Sequence, residues 1–238
     1  MCGRFVSSSP PAEIARYFDA ETPTETALEP SYNVAPTDDV YVVLADGGVR
    51  RVAAHHWGLV PSWAKSPAIG NKMINARSEG LADRNGFKRA FAHHRCLVPA
   101  DGFYEWRKRP GQKVKQPFYI QRADKEPLAF AGLWEEWKDR ASDGNERLRS
   151  ATILTTTPNA LVASLHDRMP VILARRAWDE WLDPAHADLD TLAKLLVPAP
   201  DDLLVMHPVA TAVGNVRNQG PRLIEPVEPS ETQSELPG

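Results

Sequence analysis

Cys96-Leu97-Val98-Pro99-Ala100-Asp101-Gly102-Phe103-Tyr104-Glu105-Trp106-Arg107 is the stretch whose pattern sets the fold class. Residues 96–99 are a short continuous apolar run, which reads as a buried strand. Asp101-Gly102 is a turn, and residues 103–107 resume as a second strand. The same pattern recurs on both sides. Residues 40–44 and 49–54 flank Asp46-Gly47-Gly48 as a hairpin, and strands are expected near 117–121 and 128–134 after a turn at Pro110-Gly111. Asp143-Gly144-Asn145 turns into a strand over 148–156, and 203–207 is the last. Short helices fall between them. One opens at Ser9-Pro10-Pro11, with serine as N-cap and Ile14, Tyr17 and Phe18 on its apolar face; others are expected over 87–94, 177–182 and 189–196. Residues 55–63, from His55-His56-Trp57 to Trp63, read as the start of a long irregular connection. Many short strands joined by turns, with short helices between, indicate α+β.

Composition narrows the function. The chain has 238 residues, 42% of them hydrophobic, which suits one domain with a sizeable core. No apolar run approaches the ~20 residues of a membrane-spanning helix, and nothing at the start reads as a signal peptide. Cys2 and Cys96 are the only cysteines, too few for a disulfide framework or a cysteine-based zinc site, and a reducing cytoplasm is expected. His55-His56 and His93-His94 are adjacent pairs without metal-ligand spacing, and no phosphate-binding glycine motif occurs, so neither metal nor cofactor is expected. Net charge is -3, yet residues 84–122 hold ten Lys/Arg against two acids, Asp101 and Glu105. Such a block is either a confined anion site or a solvated surface. The Pro/Glu-rich segment 227–238 reads as a disordered tail after a domain spanning 1–226.

Several residues could carry chemistry. Cys2 follows the initiator methionine, and removal of Met1 would put an α-amine and a thiol on one residue. An α-amine titrates near ~7.7–8.0, so a useful fraction is free base at neutral pH and can form a Schiff base with an aldehyde. The thiol could then close a five-membered ring on the same carbon. Otherwise Cys2 is an incidental residue of a loose terminus. Glu105 alternates with Tyr104 and Trp106, so it shares a face with Phe103 and Arg107. It is either a desolvated carboxylate with a raised pKa or the exposed partner of Arg107. Asn75 and Arg77 lie two apart and in extended backbone project to one side, where an amide and a guanidinium could hold one ligand; alternatively they are a helix cap and a surface charge. His166 precedes Asp167 in a loop and could donate a proton or satisfy loop backbone. Of the tryptophans, Trp57 is assigned to the core and Trp63, in a Pro/Ser-rich loop, to ligand stacking, with Trp106 a further candidate.

Seven stretches recur in this order in one family: Met-Cys-Gly-Arg-Phe at the start, Tyr32-Asn33-Val34-Ala35-Pro36, Trp57-Gly58-Leu59-Val60-Pro61, Asn75-Ala76-Arg77-Ser78-Glu79, Gly102-Phe103-Tyr104-Glu105-Trp106, His166-Asp167-Arg168-Met169-Pro170 and Val213-Gly214-Asn215-Val216-Arg217-Asn218. The chain resembles a bacterial member of the SRAP (SOS-response-associated peptidase) family from Cys2 to about Val227. The resemblance implies a single α+β domain, with mainly antiparallel sheets in a barrel-like arrangement and short flanking helices. It also implies a sensor of abasic sites in single-stranded DNA that crosslinks through Cys2, with lyase activity as a side reaction; a monomer is expected. By matched position, Cys2 is the nucleophile, Asn75 orients its amine, Glu105 shuttles protons and His166 assists at the sugar. Arg4, Arg77 and Arg84 would hold phosphates, Trp63 would act as a wedge, and Asn33, Pro36 and Trp106 would line the DNA path. Ala64 stands where some members carry a second aromatic after that tryptophan, which opens the question of a smaller wedge. The alternative activity is that of a thiol peptidase using Cys2, including self-removal of Met1.

Overall fold

The computed structural model describes residues 2–22, 27–108, 111, 114–139 and 147–228. Its strands are β1 (Phe5–Ser7), β2 (Ser31–Val34), β3 (Asp39–Asp46), β4 (Val49–Trp57), β5 (Asn75–Arg77), β6 (Arg95–Ala100), β7 (Gly102–Arg107), β8 (Gln116–Arg122), β9 (Leu128–Lys138), β10 (Arg147–Thr156), β11 (Met169–Pro170) and β12 (Leu204–Pro208). The helices are short: α1 (Pro11–Phe18), α2 (Lys88–His93), α3 (Ala160–Ala163), α4 (Trp178–Leu182) and α5 (Leu189–Lys194). The mixed, mainly antiparallel α+β architecture expected from the sequence is what forms.

Strands β10, β4, β3, β6 and β9 pair in that order, and β9 returns to β10, closing a five-stranded barrel. The β3–β4 hairpin is continuous from Asp46↔Val49 to Asp39↔His56. Its turn places Gly47 and Gly48 at φ 58° and 82°, the left-handed pair that a tight hairpin requires. β4 runs on through His55, His56 and Trp57, so the irregular connection begins only at Gly58. The sequence expectation ended the strand too early because two histidines interrupt the apolar pattern, yet His55 is buried.

β6 shows why a continuous apolar run was the deciding signal. Cys96 and Val98 face one core with Phe5, Trp57, Phe103 and Phe130, while Leu97 faces another beneath α1, α2 and α4. A strand buried on both faces cannot show polar alternation. After β6 the chain changes sheets: β7 belongs to a five-stranded sheet ordered β12-β8-β7-β1-β2. Asp101 makes the corner. Its carboxylate accepts from the backbone N–H and hydroxyl groups of both Ser8 and Ser9 at 2.5–3.1 Å. Ser9 is therefore not the helix cap expected; Pro10 occupies that position without a side-chain bond. The corner ties the segment after β1 to the start of β7, and so fixes where the N-terminal residues lie. The turns expected at 110–111 and 143–145, and the tail from 229 onward, lie wholly or partly outside the described residues.

Candidate active site

Three elements bring the N-terminal residues to one place. β1 pairs with β7 (Phe5↔Phe103) and with β2 (Phe5↔Val34), and the Tyr104 N–H donates to the Arg4 carbonyl at 3.0 Å. Phe5 meets the edge of Trp57 at 5.1 Å, and Trp57 Nε1 donates to the Ile74 carbonyl at 2.8 Å. Trp57 is thus the core tryptophan the sequence predicts, and it fixes the residue directly before Asn75. β5 adds to β10 in parallel, with Asn75 opposite Ile153 and Arg77 opposite Thr155, so the Asn75–Arg77 stretch is extended and not a helix cap. Asn75 Nδ2 donates to the Cys2 carbonyl at 2.8 Å. Its Oδ1 is buried and without a hydrogen-bond partner among the described residues.

Cys2 is fully buried in the chain that still carries Met1, with Phe5, Trp57 and Phe103 in its cluster. Burial, with the neighbouring Glu105 carboxylate adding to it, pushes its thiol well above the ordinary 9.0. Glu105 lies on the Phe103 face of β7 and is 4% exposed. Burial raises its carboxyl above 4.5, while nearby positive charge, that of His166 included, works against the shift. The alternative of an exposed Glu105–Arg107 pair is not what forms: Arg107 lies 4.5 Å over the Phe118 ring and donates to Ser164 Oγ. His166 is held by its own loop. Its Nδ1 accepts from the Arg168 N–H at 3.0 Å and lies 2.8 Å from Asp167 Oδ1. Cys2, Asn75, Glu105 and His166, from four separate stretches, are therefore neighbours.

The residues expected to line a DNA path divide into two groups. Trp63 (57% exposed), Arg77 and Arg84 are exposed, and Pro36 is half-buried beside Ala35. Arg4 is partly committed: its Nη1 donates to Asn33 Oδ1 at 2.7 Å and to the Val213 carbonyl at 2.9 Å, and its guanidinium lies 5.9 Å from the Trp106 ring centre. Trp106 therefore supports Arg4. Asn33, expected to line the DNA path, lies inside the protein. It is fully buried, and its Nδ2 donates to the carbonyls of Val213, Asn215 and Asn218 at 3.0–3.3 Å. Every polar atom of that side chain is used inside the protein, so Asn33 positions Arg4 and the segment 213–218.

Two further features depart from the sequence reading. Three described cations of the basic block 84–122 are committed inside the protein or to acidic partners. Arg95 is buried against the carbonyls of Phe91 and Trp181, Arg89 pairs with Glu135 at 2.7 Å, and Arg122 pairs with Asp124. Sequence reasoning also missed Arg168. This 9%-exposed residue makes a bidentate pair with Glu79 at 2.6 and 2.8 Å and donates to the Thr155 carbonyl. That hydrogen-bonded pairing holds the Glu79 carboxyl below its usual range. The bridge clamps the His166 loop to the strand carrying Asn75 and Arg77. Both partners stood in quoted motifs, but nothing local linked residues 89 positions apart.

Residues 1–216 match the family model described as SOS response associated peptidase (SRAP). The abasic site processing protein YoqW of Bacillus subtilis is 42% identical over 226 residues, covering 94% of this chain and 99% of that one. The abasic site processing protein YedK of Escherichia coli is 33% identical, covering 95% and 100%. A crystal structure of a protein from Bacteroides thetaiotaomicron superposes with a TM-score of 0.85 at 23% identity, over 95% of this chain and 100% of that one, and shares the fold.

Proposed function

The chain belongs to the SOS response associated peptidase family, and on that premise we propose that it recognises abasic sites in single-stranded DNA and bonds to them through Cys2. The observation that carries the reading is the Asn75 amide. Its nitrogen donates to the Cys2 carbonyl, and its oxygen is buried without a hydrogen-bond partner among the described residues. Such an acceptor suits an N–H donor created when Met1 is removed.

The ring-opened sugar of an abasic site presents an aldehyde at C1′. The neutral Cys2 amine adds to that carbon, and loss of one water leaves an imine. The thiol then adds to the imine carbon, its proton passes to the nitrogen, and a five-membered N–C–S ring closes. Both nucleophiles belong to one residue, so the second addition is intramolecular. Glu105, its carboxyl raised by burial, is suited to carry protons between amine, hydroxyl and water. His166 would assist opening of the sugar ring. Arg4, Arg77 and Arg84 supply sequence-independent phosphate contacts, and Trp63 supplies a stacking surface. β-Elimination from the imine would give strand scission as a side reaction.

The test is a denaturing gel of the protein mixed with an abasic oligonucleotide. A covalent band should form with the wild type. Cys2→Ser should give a band only after borohydride trapping, because its amine survives and its ring closure does not. A stable adduct from Cys2→Ser in equal yield would eliminate the ring-closing step, and no adduct from the wild type would eliminate the reading.

A further inference from the structure

Val213-Gly214-Asn215-Val216-Arg217-Asn218 has no role in the chemistry above, yet it is tethered with unusual economy. One buried side chain, Asn33, donates to the carbonyls of residues 213, 215 and 218. Asn218 Nδ2 closes the base of the loop on the Ala212 carbonyl at 2.8 Å, and Gln219 Oε1 accepts from the Tyr32 N–H at 2.9 Å. Only Val213 enters a core. The loop is fixed from below by its backbone, while Val216 (49% exposed) and Arg217 are left facing solvent. Arg217 forms no ion pair among the described residues, unlike Arg89 and Arg122. It and Arg222 are the last cations of the chain.

The position of this tip matters as much as its rigidity. Arg4 donates to both Asn33 Oδ1 and the Val213 carbonyl, so the loop and Arg4 share one network. Four residues of chain reach at most ~14 Å, which keeps Arg217 within a few nucleotides of whatever Arg4 holds. On a protein of net charge -3, attraction to a polyanion must come from local cations. We propose that the 213–218 loop is a second DNA-contacting element, in which Arg217 takes a backbone phosphate of the strand that Arg4 also holds and Val216 packs against an adjoining deoxyribose. Contacts of this kind set register on the strand without reading sequence. The inference rests on the reading of the chain as a binder of single-stranded DNA and assigns that ligand a longer footprint.

The test uses undamaged single-stranded oligonucleotide and fluorescence anisotropy over a salt series, so that no covalent step enters. Each phosphate contact contributes about 0.7 to the slope of log K against log salt on single strands. Arg217→Ala should lower that slope by ~0.7 and Arg217→Lys should restore most of it. Arg176→Ala, an equal change in net charge on a distant exposed turn before α4, should leave it unchanged. An unaltered slope for Arg217→Ala, or an equal loss for Arg176→Ala, overturns the assignment while leaving the Cys2 chemistry standing. A wild type that binds no single strand overturns both.

Discussion

Asn33→Ala separates a residue that touches DNA from one that positions what does. The substitution removes three N–H···O bonds to the carbonyls of Val213, Asn215 and Asn218, one of them long at 3.3 Å, and the Arg4 bond at 2.7 Å. A neutral hydrogen bond contributes roughly 1 kcal/mol net and one to a charged group about 1.5–3. Arg4 keeps its bond to the Val213 carbonyl, which limits the second term. The expected loss is about 4 kcal/mol, a large share of the 5–15 typical of folded domains. With a urea slope of about 2 kcal/mol/M, the unfolding midpoint should fall by about 2 M at an unchanged slope. DNA affinity should fall as well, because Arg4 and the 213–218 loop lose their common anchor. Asn33→Asp should keep an acceptor for Arg4 but set a carboxylate against three carbonyls, so it too should unfold early. Affinity lost with a midpoint shift below about 0.5 M would refute the positioning role and restore Asn33 as a contact.

Other expectations follow from the same site. Glu105→Gln should slow crosslinking by roughly 100-fold or more, read from band formation against time. It should also stabilise the fold at neutral pH. The folded carboxyl titrates above 4.5, so its contribution is complete below that value and is lost as pH rises through the raised value; the gap between variant and wild type should be near zero at pH 4 and open toward pH 7. A wild type more stable than Glu105→Gln at pH 7 would count against burial as the cause. Trp63→Ala should change the unfolding free energy by less than about 0.5 kcal/mol, since the side chain is 57% exposed, while weakening single-strand binding by ~1–3 kcal/mol. Arg168→Lys keeps the charge but not the bidentate fork, so it should slow crosslinking at saturating DNA more than it weakens binding; equal losses in both would make Arg168 a DNA contact.

Local pattern carried the strands and failed where contacts are long-range. Gly47-Gly48 specified a hairpin because few other residues adopt two successive positive φ values. The run 96–99 was legible as a strand because both of its faces are buried. Glu105 could be put on the Phe103 face by alternation, but whether that face was wet or dry depended on β1 and β5 arriving from elsewhere. The closure of β9 on β10, the Asn33 amide reaching residues 213–218 and the Arg168–Glu79 bridge all join distant segments, and no periodicity records them. The basic block left its two readings open for the complementary reason. Proximity in sequence does not make a surface, and Arg95 and Arg89 were committed to carbonyls and to Glu135.

The state of the Cys2 thiol bears on the two chemistries proposed for an N-terminal cysteine. A thiol peptidase needs a thiolate, which requires a nearby cation or helix terminus to lower the pKa. Here the thiol is moved the other way by burial and by the Glu105 carboxylate, and His166 is directed toward Asp167 and the Arg168 backbone. A protonated thiol is a poor first nucleophile toward an amide but a sufficient second one toward an imine already formed on the same residue. The α-amine needs no such activation, because its ordinary pKa already leaves free base at neutral pH. In the reaction proposed above, a thiol raised in this way favours one order: amine first, thiol second.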